Sequence, residues 1–224
     1  MAYHESIEHQ EHSIVALGKF NPQIFSPTWL ALEGLISKQE ALDSNTKLSA
    51  RGISIFTTGW FNMEVTDERF KVSTNQNSYF AMLRDLTQGI FTILGHTPVR
   101  ALGLNFNCHL RCYDKNDLDK LLQGLAPLSA WSSFLQSPTL ERFAIRQTFE
   151  NCLLRVAIEK STTVENGVFI DVNNHYELIG DEVWRDETGQ RYIKASYLPD
   201  LISANYDTAT KRSDETISHI WSSK

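Results

Sequence analysis

The sequence predicts an α+β protein in which an antiparallel sheet carries helices on one face. Three observations predict it. Two stretches alternate apolar and polar side chains with period two, the mark of a strand with one buried face: Phe61, Met63 and Val65 against Asn62, Glu64 and Thr66, then Leu102 to Cys112 against Gly103 to Arg111. One stretch repeats at helical spacing, through Tyr79, Leu83, Leu86, Ile90 and Ile93-Leu94. Finally, the order strand, helix, three strands, long helix occurs twice along the chain.

Taken in order, the elements begin with a strand over 13–20, SIVALGKF. Ser26 before Pro27 reads as an N-cap followed by proline at the first helical position, opening a short helix with Trp29, Leu30, Leu32 and Leu35-Ile36. The polar run 38–50 reads as a loop. Strands are predicted over 53–58, 60–66 and 70–73, then the long helix, closed by Gly95. A long strand over 99–112 leads to a helix over 114–125 with Leu118, Leu121, Leu122 and Leu125 on one face, ended by Pro127. One or two further helical turns fit 129–138. Strands follow over 143–149, 152–160 and 167–172, with turns at Glu150-Asn151 and Val164 to Gly167. A small hairpin pairs Val183-Trp184 with Tyr192-Ile193, and a final helix spans 199–221, with a break expected near 211–213.

The repeated order suggests a duplicated β-α-β-β-β-α unit, its copies joined into one long curved sheet, with edges protected at the join. The corresponding division is a polar N-terminal tail over 1–12, a first half over 13–98 and a second over 99–224, packed as one continuous domain.

Composition narrows the function. The chain has 224 residues, 42% of them hydrophobic, which argues for a folded protein, and no apolar run approaches the ~18 residues of a membrane span. The opening MAYHESIEHQEHS has neither a basic region nor an apolar stretch, so no signal peptide is expected. Three cysteines supply no disulfide framework, and the expected location is cytoplasmic. With 21 basic and 27 acidic residues the net charge is −6, against indiscriminate phosphate binding. Residues 13–98 hold seven of each sign and 99–224 fourteen basic against seventeen acidic, so no segment reads as a basic patch.

Asn105, Asn107, His109 and Arg111 share the polar face of the long strand, and are the leading candidates for contacting a partner, since amide and guanidinium groups present several hydrogen-bond donors at once. Trp60, in line with Asn62 and Glu64, is the candidate exposed aromatic contact. His4, His9 and His12 have imidazoles suited to a transition metal, but a mobile tail does not hold ligand geometry, and no metal or other cofactor is expected. Cys108 and Cys112, about 13 Å apart at ~3.3 Å per strand residue, cannot bridge. Asp171 with His109 or His175 offers general acid–base chemistry, but no nucleophile motif or phosphate-cradling glycine loop accompanies them.

The phrases ALGLNF at 101–106, FIDV at 169–172 and LISANYD at 201–207 resemble a sporadically distributed bacterial protein family of unknown function. The family's proline-proline opening strand is replaced here by SIVALGKFNP, and the resemblance implies no catalytic residue. The expected function is therefore a non-catalytic interaction module presenting its sheet to a protein partner or a second copy. The alternatives are a nucleic-acid binder using the same face and a small-molecule sensor or enzyme with a pocket between sheet and helices.

Overall fold

A computed structural model describes residues 3–131, 133–180 and 183–222. The strands are β1 (Ile7–Gly18), β2 (Asn45–Ala50), β3 (Ile53–Thr57), β4 (Asn62–Thr66), β5 (Arg69–Thr74), β6 (Pro98–Arg111), β7 (Arg142–Thr148), β8 (Leu153–Lys160), β9 (Gly167–Glu177), β10 (Trp184–Arg185) and β11 (Arg191–Lys194). The helices are α1 (Pro27–Leu32), α2 (Lys38–Leu42), α3 (Phe80–Ile93), α4 (Lys115–Leu125) and α5 (Leu198–Ser222). The class is α+β, and the strand order is β2-β3-β4-β5-β1-β6-β9-β8-β7, with β11 joining β6 and β10 joining β11. Among the described residues no helix is long and apolar enough to cross a membrane.

The described residues form two compact units, one of 11–105 and 175–207, the other of 3–10, 106–174 and 208–222. This differs from the expected cut at 98/99. The strands β1, β6 and β9 and the helix α5 each pass from one unit to the other, so chain order and compactness do not coincide.

In the first unit the apolar alternates align across strands. Ile14 and Ala16 of β1 stand opposite Val72 and Phe70 of β5, which in turn face Met63 and Val65 of β4. All are buried. Leu83, Leu86, Ile90 and Phe91 of α3 complete this core, with the Phe70 and Phe91 rings 5.0 Å apart edge to face. In the second unit Phe106, Cys108 and Leu110 of β6, Val156 and Ile158 of β8, and Val168, Ile170 and Val172 of β9 are buried. The neighbouring Asn174 is buried too, donating to Ser213 Oγ of α5 at 3.1 Å and accepting from Arg212 at 3.0 Å, so its amide is satisfied rather than stranded.

The local chemistry explains where sequence expectations met the fold and where they did not. Ser26 accepts from the Trp29 amide and opens α1 with Pro27 in its first turn, as expected. Residues 38–50, read as a loop, hold both α2 and β2. The helix starts at a capping box, Ser37 accepting from the Glu40 amide while Glu40 accepts from the Ser37 amide. The strand is exposed along its whole length, so it carries no apolar alternation to detect. Residues 7–12, read as tail, begin β1 instead. There Glu11 pairs with Lys71 at 2.7 Å, and His12 sits opposite Thr74 and stacks on Phe80. The expected break in the last helix is absent: α5 runs on through 211–213, where the Ser213 and Thr216 hydroxyls donate to the carbonyls of Ala209 and Arg212, four residues back, instead of competing for the amides of the helix.

Candidate partner-binding surface

The polar ladder of β6 lies where its alternation placed it, but its members are occupied by neighbours within the sheet. Asn105 donates to Ser13 Oγ at 3.4 Å. His109 Nδ1 bonds Ser161 Oγ at 2.8 Å and Thr163 Oγ1 at 3.2 Å, and its ring contacts His9 and Phe169. Burial, then the nearby His9, pushes the His109 pKa down, favouring the neutral ring. Arg111 pairs with Glu8 at 2.5 Å; that hydrogen bond and the charge behind it lower the Glu8 pKa and raise that of Arg111. Asn107 is half-buried between them. The ladder is thus largely spent on cohesion.

Trp60 is a correction. It is 8% exposed, because β4 starts only at Asn62 and the alternation does not extend back to the indole. Its Nε1 donates to Glu40 Oε1 at 2.8 Å and its ring stacks on Tyr79. The Glu40 carboxyl is held below its ordinary range, first by the Ser37 amide. The N-terminal histidines diverge. His4 lies 3.5 Å from Asp214, His9 beside His109, and His12, three residues beyond His9 and therefore on the opposite strand face, on Phe80. No group of three or more metal-ligating side chains occurs among the described residues. Cys108, Cys112 and Cys152 are buried free thiols, and burial pushes the Cys108 pKa up to about 12, so it stays a thiol at neutral pH.

The more open surface lies on β7, β8 and β9. A groove of about 500 Å³ is lined by Arg142, Ala144 and Arg146 from β7, Arg155 and Ala157 from β8, and Asp171 and Asn173 from β9. The register makes it: Arg142 stands opposite Glu159, Ala144 opposite Ala157 and Arg146 opposite Arg155. Arg142 and Glu159 form an ion pair at 2.9 Å. Among the described residues no ion pair to Arg146 or Arg155 is formed, and two like charges face each other across the strands. So three arginines gather on one surface, against the two carboxylates of Glu159 and Asp171, a local clustering that the charge count along the chain does not show. It was legible in part, since Arg142 and Arg146 are an even number of residues apart in RFAIRQT, and a two-residue turn at Glu150-Asn151 brings Arg155 to Arg146. Like charges directly opposite destabilise a sheet. Arg146→Gln is therefore expected to raise stability by a few tenths of a kcal/mol, read as a higher Tm that narrows in high salt.

The backbone of β7 adds a second feature. It ends the strand order, pairs among the described residues with β8 alone, and is exposed along almost its whole length, Ile145 at 53%. The Phe149 amide donates to the Cys152 carbonyl at 2.7 Å, which makes 149/152 a hydrogen-bonded pair. Because such pairs alternate in an antiparallel ladder, Gln147, Ile145 and Phe143 bond inward to β8, while Arg142, Ala144, Arg146 and Thr148 direct their N–H and C=O groups to the free edge. The edge at the other end of the order differs. There β2 is bulged between Thr46 and Leu48, at Lys47, and a bulge with a lysine is a common device against strand addition. The register of β7 has no such interruption.

No protein-family model matches the chain, and no curated protein matches it.

Proposed function

We propose that the chain is a non-catalytic protein-interaction module that takes an extended segment of a partner onto the free edge of β7. One observation carries this: an unbulged edge strand whose outward amides and carbonyls have no partner strand among the described residues, the arrangement used in strand addition. The connection leading into it exposes Trp131, Phe134 and Leu135, apolar surface of the kind protein partners cover. The β6 ladder, first choice from sequence, serves this reading as the support of the sheet rather than the contact. A cytoplasmic setting, with no disulfide to maintain, accords with three buried thiols.

Internal duplication belongs to the same proposal. Its support is the strand order, in which β1 and β6, the leading strands of the two expected halves, are neighbours and each half's further strands run outward from them to an edge. Duplication would leave two equivalent edges, of which only one, β2, is bulged.

Binding to an array of synthetic extended peptides tests the main proposal. Ala144→Pro removes an outward N–H without breaking a bond to β8 and suits an edge strand. It is expected to abolish peptide capture while the thermal transition persists, whereas Arg111→Ala leaves capture intact. Capture by the proline variant equal to that of the parent protein would refute strand addition at β7.

A further inference from the structure

Resting on strand addition at β7, the charge of the groove specifies the partner further. We infer that the segment bound there is acidic at alternate residues, those whose side chains fall on the groove face beside Arg142 and Arg146. An added strand places its alternate side chains on each face of the sheet, directly across from those of its neighbour. On the groove face those neighbours are Arg142, Ala144 and Arg146, with Arg155 one strand further in. Glu159 already balances Arg142 in part, and although Asp171 lines the same groove, no ion pair to Arg146 or Arg155 is formed among the described residues. An aspartate or glutamate across from Arg146 supplies the missing countercharge, and guanidinium binds carboxylate through paired N–H donors. On the opposite face the strand shows Phe143, Ile145 and Gln147, so the intervening residues of the partner meet a mixed, partly apolar surface.

A second copy of the chain fits less well. Two β7 strands paired antiparallel about Ala144 set Arg142 against Arg146, about Arg146 set arginine against itself, and about Ile145 set Arg146 against Ala144 and Arg142 against Thr148, so none of these registers supplies Arg146 with a countercharge. A nucleic-acid strand fits less well again, because its backbone lacks the evenly spaced N–H and C=O groups that continue a β-ladder along the edge.

Fluorescence anisotropy on the full chain tests the assignment. The probes are a labelled peptide of alternating Glu and Thr as long as β7, the same peptide with Gln or with Lys for Glu, and a single-stranded RNA. The Glu peptide is expected to bind at least about tenfold more tightly than the Gln peptide, with the difference shrinking as salt rises, and the Lys peptide and the RNA not at all. Arg146→Gln with Arg155→Gln should erase the preference for Glu without reducing thermal stability. Ala144→Pro should abolish binding of both the Glu and the Gln peptide. If the proline variant loses binding but Glu and Gln peptides bind alike, the acidic preference is wrong and strand addition survives. If the proline variant binds as well as the parent, strand addition itself is wrong. Tighter binding of the RNA than of the Glu peptide, or concentration-dependent dimers lost on Ala144→Pro, would replace the acidic partner with a nucleic acid or a second copy respectively.

Discussion

Replacing Gly18 by alanine is expected to destabilise the protein by about 3 kcal/mol, at the severe end of single substitutions. A methyl group at Gly18 would run into the carbonyl oxygen of Pro98, well inside van der Waals contact, and come within 3.1 Å of Val99 Cα. Both obstacles are backbone, so no rotamer change relieves the clash. Neither side is free to withdraw. The Pro98 carbonyl accepts from the Lys19 amide at 2.8 Å, the Gly18 amide donates to Glu68 at 3.0 Å, and Pro98 and Val99 are paired on their other side with Lys194 and Ile193 of β11. Relief must come from opening the ladder. Urea titration should show the midpoint moved sharply down at unchanged slope. Gly59→Ala, where an added Cβ meets nothing within 4 Å, is the control, and a loss at Gly18 no larger than at Gly59 would contradict the packing described.

Stability is expected to fall by about 3 kcal/mol between pH 7 and pH 4, with His12 responsible for most of it. Burial against Phe80, with the two rings stacked at 3.3 Å, pushes the His12 pKa down from its ordinary 6.5 to about 3, because the imidazolium loses its hydration there. The unfolded chain therefore takes up the proton first. The contribution of His12 is complete above about pH 6.5 and is lost progressively as pH falls toward 3, at up to about 1.4 kcal/mol per pH unit. His109, also lowered, acts in the same direction. The carboxylates of Glu8 and Glu40, held below their usual range, lose their contribution lower on the scale, mostly below pH 4. His12→Phe isolates the term: the variant should lose clearly less stability than the parent over the same interval. An equal loss in both, or a parent protein more stable at pH 4 than at pH 7, would contradict a buried neutral imidazole.

Legibility followed the physics of each element. The long strand β6 and the helix α3 were readable because each has one face in the core and one outside, so burial writes its own period into the residues. Elements without such a contrast left no mark. That is why no alternation marks β2, exposed throughout, and why α2, whose signal is a capping box rather than an apolar stripe, reads as loop. Polar composition misled at the N-terminus in the same way. Glu11 and His12 look like tail residues, yet in β1 one is matched by Lys71 and the other by Phe80, residues 60 and 68 positions away. Trp60 differs for another reason: it precedes β4, so the alternation of that strand does not govern it, and Glu40 and Tyr79, which bury the indole, are distant in sequence.

By itself, the sequence determined the α+β class, the buried and polar faces of β6, and the even spacing of Arg142 and Arg146, since side-chain direction along a strand depends only on local backbone geometry. The tertiary structure alone decided that β7 ends the sheet, that its edge is unbulged while that of β2 is bulged, and that the β6 ladder is consumed by Ser13, Ser161 and Glu8. Strand neighbours are chosen by hydrogen bonds and packing between residues far apart in the chain, and no local pattern records which edge is left without one.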